Sequence, residues 1–126
     1  MLSNHFVKFW IDNDILYNEF ILPTELTREN VIEIIKLRHE LCNGVSYYWC
    51  TSFHNIKSMP KDGRDYTDKY GQDFLHASAA VVSNVFEAFV VNIFIKLKRP
   101  KVPFKAFSCK EEAVAWLLEL KAKNGH

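Results

Sequence analysis

Few side chains in this sequence are candidates for chemistry, and spacing decides what each could do. Cys50 and His54 are the nearest thiol–imidazole pair. A Cys–His dyad needs contact at about 3–4 Å and an electropositive setting that lowers the thiol pKa. A cysteine in mid-strand among Tyr and Trp is instead expected to be a buried, inert thiol. A zinc ion at this pair would need two more ligands, from His39, His76 or Cys109. Those lie in scattered segments without finger spacing, so no metal site is expected. Asp62, Asp65 and Asp68 belong to a polar helix face. Glu111 and Glu112 fall at a helix N-terminus, where acids stabilise the dipole. Neither set reads as a general acid/base pair. The sequence holds no G-x-S-x-G, C-x-x-C or H-E-x-x-H, and its 4 glycines are too widely separated to form a phosphate loop. The expectation is no catalytic residue, no cofactor, no metal and no enzymatic activity.

The elements that would position these residues follow from periodicity. Phe6, Lys8 and Trp10 alternate with Val7, Phe9 and Ile11, a strand pattern rich in aromatic and β-branched residues. Asp12-Asn13-Asp14 signals a turn, and Ile15–Leu22 reads as the second strand of an antiparallel hairpin. Thr27 caps a helix carrying Val31, Ile34, Ile35, Leu41 and Cys42 at helical spacing, and Asn43-Gly44 stops it. Val45–Ser52 is a buried strand. Ser58 or Asp62 caps a short, weakly anchored helix with Pro60 near its first turn and Met59, Gly63, Tyr66, Tyr70 and Phe74 as its stripe. Leu75–Val82 reads as strand rather than helix because the cap Ser83-Asn84 stands directly behind it. Val85–Lys98 is helix, Pro100 and Pro103 bound a loop, and Phe104–Phe107 is a brief strand. Ser108 and Glu111 form a capping box for a last helix with Ala113, Val114, Trp116, Leu117 and Leu120 on its apolar face. The order β-β-α-β-α-β-α-β-α predicts an α/β fold. Its sheet is mixed and mostly parallel, opened by an antiparallel hairpin, with Val45–Ser52 beside Ala77–Val82 at the centre.

A length of 126 residues suits one domain spanning 1–126. Apolar residues make up 48% and charged residues 25%, the balance of a soluble globular chain and not of a disordered or disulfide-built one. The formal net charge of +1 gives no overall pull toward nucleic acid. Charge is uneven along the chain: residues 1–73 have 8 Lys/Arg against 11 Asp/Glu, residues 74–126 have 8 against 4. The basic excess sits at Lys96, Lys98, Arg99, Lys101 and Lys105, with only Phe104 as an aromatic neighbour. Nucleic-acid binders show a wider basic footprint. A solvated loop is expected, with docking of an acidic partner or peripheral contact with lipid headgroups as the alternative. The 3 cysteines cannot all pair within the chain, and no secretory leader is visible, so reduced thiols in the cytoplasm are expected. The apolar stretch Ala77–Ile95 is interrupted by Glu87 and Asn92. A spanning helix needs about 20 predominantly apolar residues, so no transmembrane segment is expected.

Several short motifs follow one another in a fixed order: Ala77–Val82, Val91-Asn92-Ile93-Phe94-Ile95, Lys98-Arg99-Pro100-Lys101-Val102-Pro103, Phe107, Glu111-Glu112-Ala113 and Trp116-Leu117. The set resembles a family of small uncharacterised bacterial proteins with an anti-sigma-factor-antagonist-like (STAS-like) fold. The resemblance is good over residues 72–120 and only pattern-level before that. It implies a mixed sheet with helices and no established enzymatic activity. STAS domains act by binding partner proteins, some under control of a phosphorylated Ser or Thr, and the same general fold recurs in lipid-exchange domains. The family's phospho-site is an Asp-Ser pair where the central strand meets its helix. This sequence reads Cys50-Thr51-Ser52-Phe53-His54 there, without the Asp. By this analogy Thr51, Ser52 and Ser58 are the candidate phosphoswitch residues.

The helix Val85–Lys98 is apolar on two sides. Phe86, Phe89, Val90, Ile93 and Leu97 share one face, and Ala88, Val91 and Ile95 form a second stripe nearly opposite. If the larger stripe faces the sheet, Val91 and Ile95 point outward, with Lys96 and Lys98 at the rim. These four residues are the candidate interface, either covered by a neighbouring helix or by a second copy of the chain. The expected function is a non-enzymatic STAS-like interaction module, a homodimer with an unidentified protein partner. The alternative is a small-ligand or lipid-binding domain with a pocket beneath the Phe-rich helix.

Overall fold

The computed structural model describes residues 1–98 and 101–125, with the backbone alone at positions 93, 94 and 96–98. Strands β1 (Leu2–Ser3), β2 (Val7–Asp12) and β3 (Ile15–Phe20) open the chain. The short β4 (Thr24–Glu25) leads into α1 (Arg28–Cys42). Then come β5 (Tyr47–Ser52), β6 (Ile56–Ser58), α2 (Lys61–Tyr70), β7 (Leu75–Val81), α3 (Val85–Lys98), β8 (Phe104–Phe107) and α4 (Lys110–Asn124). Six strands form one sheet in the order β1-β2-β3-β5-β7-β8, and β4 pairs with β6 in a separate two-stranded ribbon.

The hairpin pairs Val7 with Phe20 through to Asp12 with Ile15, leaving Asn13 and Asp14 as a two-residue loop. Both loop residues have positive φ, 50° and 64°, the backbone that matches strand twist in such hairpins and that Asx residues accept. From β3 onward the pairings β3–β5, β5–β7 and β7–β8 are all parallel. Alternation along the strands builds two cores. Phe9, Leu16 and Phe20 meet Val31, Ile34 and Ile35 of α1 on one side. Ile15, Tyr17, Tyr48, Cys50, Ala77 and Ala79 meet Ala113 and Leu117 of α4 on the other. A sheet buried on both faces explains why β5 and β7 read as continuous apolar runs.

Several local expectations need correction. Ser58 does not cap α2: it lies in β6, where its carbonyl accepts the Leu26 N–H at 2.8 Å. The cap position of α2 is Pro60, whose apolar ring makes no capping hydrogen bond, and Asp62 instead accepts the N–H of Gly63 within the first turn. The Ser108 capping box does not form, because α4 starts one residue later, with Cys109 at the cap position and no side-chain capping bond. Glu111 and Glu112 still sit in the first turn, beside the positive end of the helix. Trp116 is half-buried, and Leu117, fully buried, is the residue that anchors α4.

The largest correction concerns α3. Its limits and its Ser83-Asn84 start are as expected, but among the described side chains the stripe expected to face inward is exposed at Phe86 and Phe89. Val91 is fully buried and Ile95 half-buried, so Val91 is no outward interface residue. The Lys96 and Lys98 side chains of that candidate interface lie outside what is described. Val85, Phe86 and Phe89 are exposed instead, at 87%, 49% and 61%. The part of the sheet nearest α3 carries small side chains. On the side of β7 away from α4, the residues are Ser78 and Ala80, and Ala80 pairs with Ala106 of β8. Glu87, also buried, belongs to the helix start: its carboxylate accepts Ser83 N–H at 2.8 Å and Asn84 Nδ2 at 2.9 Å, while Asn84 Oδ1 accepts the Glu87 N–H at 2.8 Å.

Candidate functional site

On α1, Val31, Ile34, Ile35 and Arg38 fall at i, i+3, i+4 and i+7, so all four point the same way. They look onto Asn18 and Phe20 of β3 and Trp49 and Thr51 of β5 across a cleft of about 90 Å³. Phe53, Ile56 and Met59 flank it, Thr67 and Gly71 bring in α2, and Phe104 brings in β8. The polar side chains on this wall are Asn18, Arg38, Thr51 and Thr67. Sites that enclose a drug-sized ligand measure about 300–1,000 Å³. The cleft is therefore smaller than a site that encloses a whole drug-sized ligand.

Two of the polar groups are already committed. Asn18 Oδ1 accepts the Trp49 indole N–H at 3.0 Å, which fixes that ring, and Thr67 Oγ1 donates to the Gly63 carbonyl at 2.8 Å. Arg38 is different. It is fully buried, with its guanidinium carbon 5.3 Å from the centre of the Trp49 ring. Nη1 donates to the Asp73 carbonyl at 2.7 Å and Nη2 to the Gly71 carbonyl at 3.1 Å. These bonds tie α1 to the C-terminal end of α2, where unpaired carbonyls and the helix dipole favour a cation. Its Nε–H has no partner among the described residues. Burial draws the Arg38 pKa down to about 10, so the group stays charged at neutral pH. His39, next in sequence, is held below its usual pKa by burial and by the Arg38 charge, and packs edge-on against Phe74 at 5.2 Å.

The residues singled out from sequence are not brought together. Thr51 is buried in the wall of the cleft. Ser52 lines a second hollow on the α4 side with Cys50 and Lys110, and its Oγ accepts the His54 N–H at 3.3 Å. Ser58 stands in the β4–β6 ribbon. Cys50 is buried, and burial pushes its thiol up to about 11, with Lys110 opposing that shift. His54 is exposed beyond the end of β5, so burial separates the pair that spacing suggested. Among the described residues, no three His, Cys, Asp or Glu side chains are grouped to hold a metal. Likewise, no helix there is long and apolar enough to cross a membrane. Arg38 escaped the sequence reading, although its signal was present: an Arg on the same face as Val31, Ile34 and Ile35.

Comparison with solved structures finds an uncharacterised protein of the DUF3478 family, with a SpoIIAA-like fold, from Shewanella loihica PV-4. The superposition has a TM-score of 0.65 at 18% identity and covers 93% of this chain and 98% of that one. A likeness at that identity establishes the fold alone, and it is the STAS-like fold that the C-terminal motifs imply. No curated protein matches the chain. The family model described as "Domain of unknown function (DUF7793)" matches residues 9–121, and the chain belongs to that family.

Proposed function

We propose that this protein is a non-enzymatic binding module that holds an apolar ligand in the cleft between α1, α2 and the sheet. The observation that carries the proposal is the composition of the wall. Phe20, Leu26, Val31, Ile34, Ile35, Phe53 and Ile56 converge on a space that their own side chains leave unfilled. Protein interiors otherwise pack to crystal-like density, and an apolar void forfeits dispersion contacts on every side. An aliphatic chain entering the cleft restores those contacts and leaves water. The three free thiols support a reducing compartment, and a cytoplasmic location is part of the proposal. The test is a titration of methyl-labelled protein with octan-1-ol followed by NMR. Shifts centred on the Ile34, Ile35 and Ile56 methyls are expected. No shift at low millimolar alcohol, or shifts spread evenly over the surface, would refute it.

A second reading has its own observation. Val85, Phe86 and Phe89 form an exposed apolar row at the start of α3, a patch suited to a protein contact. We assign any homodimer to this row in place of Val91. Light scattering of wild type and of Phe86→Lys with Phe89→Lys decides it: a dimer converted to a folded monomer is expected. A wild type already monomeric at high micromolar concentration overturns it.

A further inference from the structure

We infer that the second hollow, on the α4 side of the sheet, binds a small organic monocarboxylate whose carboxylate pairs with Lys110. This site is separate from the apolar cleft and does not depend on it. Strand register lays out its walls. Trp10, Tyr17, Cys50 and Ala79 follow one another across β2, β3, β5 and β7 in a single row. Two large rings thus stand beside a thiol and a methyl. Ser52 and Val81, paired at the carboxyl ends of β5 and β7, continue the surface, and Lys110 joins it as the first residue of α4. The space between them measures about 210 Å³. Open α/β sheets hold their ligands at this end, beyond the carboxyl termini of the strands.

Lys110 selects the charge. Its ammonium lies 4.7 Å from the centre of the Tyr17 ring and 5.8 Å from that of Trp10, and these rings stack on each other at 5.5 Å. The two rings orient the cation. Lys110 makes no ion pair among the described residues, and an ammonium carries three N–H donors. Two hydroxyls stand with it. Ser52 Oγ accepts the His54 N–H and keeps its own proton to donate. Tyr17, 9% exposed, makes no hydrogen bond through its hydroxyl among the described residues. Burial, then Cys50 and Asp12, raise its pKa above the usual 10, so it too is a donor at neutral pH. The acids set the limit. Glu19 lines the hollow but is paired with Lys8 at 3.6 Å, and Glu111 and Glu112 follow Lys110 in the first turn of α4. One uncommitted cation near three carboxylates suits a single negative charge and disfavours a phosphate dianion. Trp10, Cys50 and Val81 receive the apolar body. The volume falls below the roughly 300–1,000 Å³ of drug-sized sites, which limits that body to a single ring or a short chain.

The experiment compares sodium benzoate with benzyl alcohol, its uncharged counterpart, on the intact chain. An NMR titration follows the Trp10 indole N–H, the backbone amides of Ser52 and Lys110, and the isoleucine methyls of the cleft. Benzoate is expected to shift the first three signals and to bind at least about fivefold tighter than the alcohol, the upper range of one exposed ion pair, to which the two hydroxyls add. Lys110→Gln should abolish that difference, Lys110→Arg should restore it, and Lys61→Gln, which removes the same charge from α2, should leave it unchanged. Equal affinities for acid and alcohol, or full benzoate binding by Lys110→Gln, would overturn the inference. So would shifts confined to the basic segment 96–105, or no shift at low tens of millimolar benzoate. Benzoate shifts at the Ile34, Ile35 and Ile56 methyls alone would also overturn it, while supporting the apolar cleft as a separate site.

Discussion

Gly63 offers a sharp test of how α2 is held. It is buried in the first turn of that helix, where an alanine would ordinarily be preferred by about 1 kcal/mol. A Cβ added there would lie 1.7 Å from the Leu26 carbonyl oxygen, 2.8 Å from the Leu26 carbonyl carbon and 3.1 Å from that of Thr27. All three atoms are backbone, and that backbone is pinned. The Leu26 N–H bonds to the Ser58 carbonyl at 2.8 Å, and Thr27 Oγ1 caps α1 by accepting the Asn30 N–H at 3.2 Å. Relief requires moving α2 outward by well over 1 Å, away from α1. Overpacking of this kind costs about 1–3 kcal/mol and sometimes more, and so close a contact belongs at the upper end. After the gain in helix propensity, Gly63→Ala should lose about 2 kcal/mol. In a domain of this size that lowers Tm by roughly 5–10 °C. Urea unfolding followed by tryptophan fluorescence measures it, with an unchanged slope expected. Gly44→Ala is the control: its φ of +81° disfavours a side chain, but nothing lies within 4 Å of the new Cβ, so only about 1 kcal/mol should be lost. Gly63→Ala as stable as wild type would refute the packing of α2 on residues 26–27.

Three further outcomes are expected. Leu117→Ala should cost about 2–5 kcal/mol as a fully buried truncation, and Trp116→Ala clearly less, because half-buried Trp116 loses less burial; reversed values in urea unfolding would move the anchor of α4. In the native protein at pH 8, half-buried Cys109 should react with a thiol reagent first, while Cys50, its pKa raised to about 11, and buried Cys42 wait for unfolding; mass mapping of labelled peptides checks the order. The His39 pKa lies below its ordinary 6.5, so between the two values the unfolded chain binds a proton that the folded chain refuses. This contribution is therefore complete above pH 6.5 and is lost as pH falls through the folded value. His39→Gln should flatten that part of the urea-midpoint profile, and an unchanged slope would remove His39 as the cause.

Much of the fold was legible because local signals and tertiary demand agree. Asn13 and Asp14 favour the turn that the β2–β3 register requires, and Asn43 takes the left-handed cap, φ 49°, that ends α1. The Ser83-Asn84 cap separated strand from helix where apolar periodicity could not. The failures lie where the deciding contact is distant in sequence. Ser108 satisfies a capping pattern, yet α4 starts at Lys110. The ribbon that takes Ser58 away from α2 depends on Thr24 and Glu25, more than thirty residues earlier. Gly63 read as one position of a thin stripe, and only the approach of Leu26 reveals why no larger residue fits there.

The same limit explains both functional surfaces. Periodicity shows that a helix has an apolar face but not what the face meets. For α3, two apolar stripes competed, and Val91 and Ile95 were expected outward on the condition that the larger stripe faced the sheet. In the structure Val91 is buried while Phe86 and Phe89 stand in water. For α1, the apolar face contains an arginine, which a hydrophobic pattern passes over as an interruption. In the folded chain Arg38 is fully buried and holds the end of α2 through two carbonyls. Each helix thus departs from apolar-in, polar-out in the opposite sense: aromatic rings in water on α3, a cation in the core on α1. Local rules tend to fail where a sequence answers to binding as well as folding. The departure that reaches the surface, Phe86 and Phe89, is therefore where a protein partner is sought.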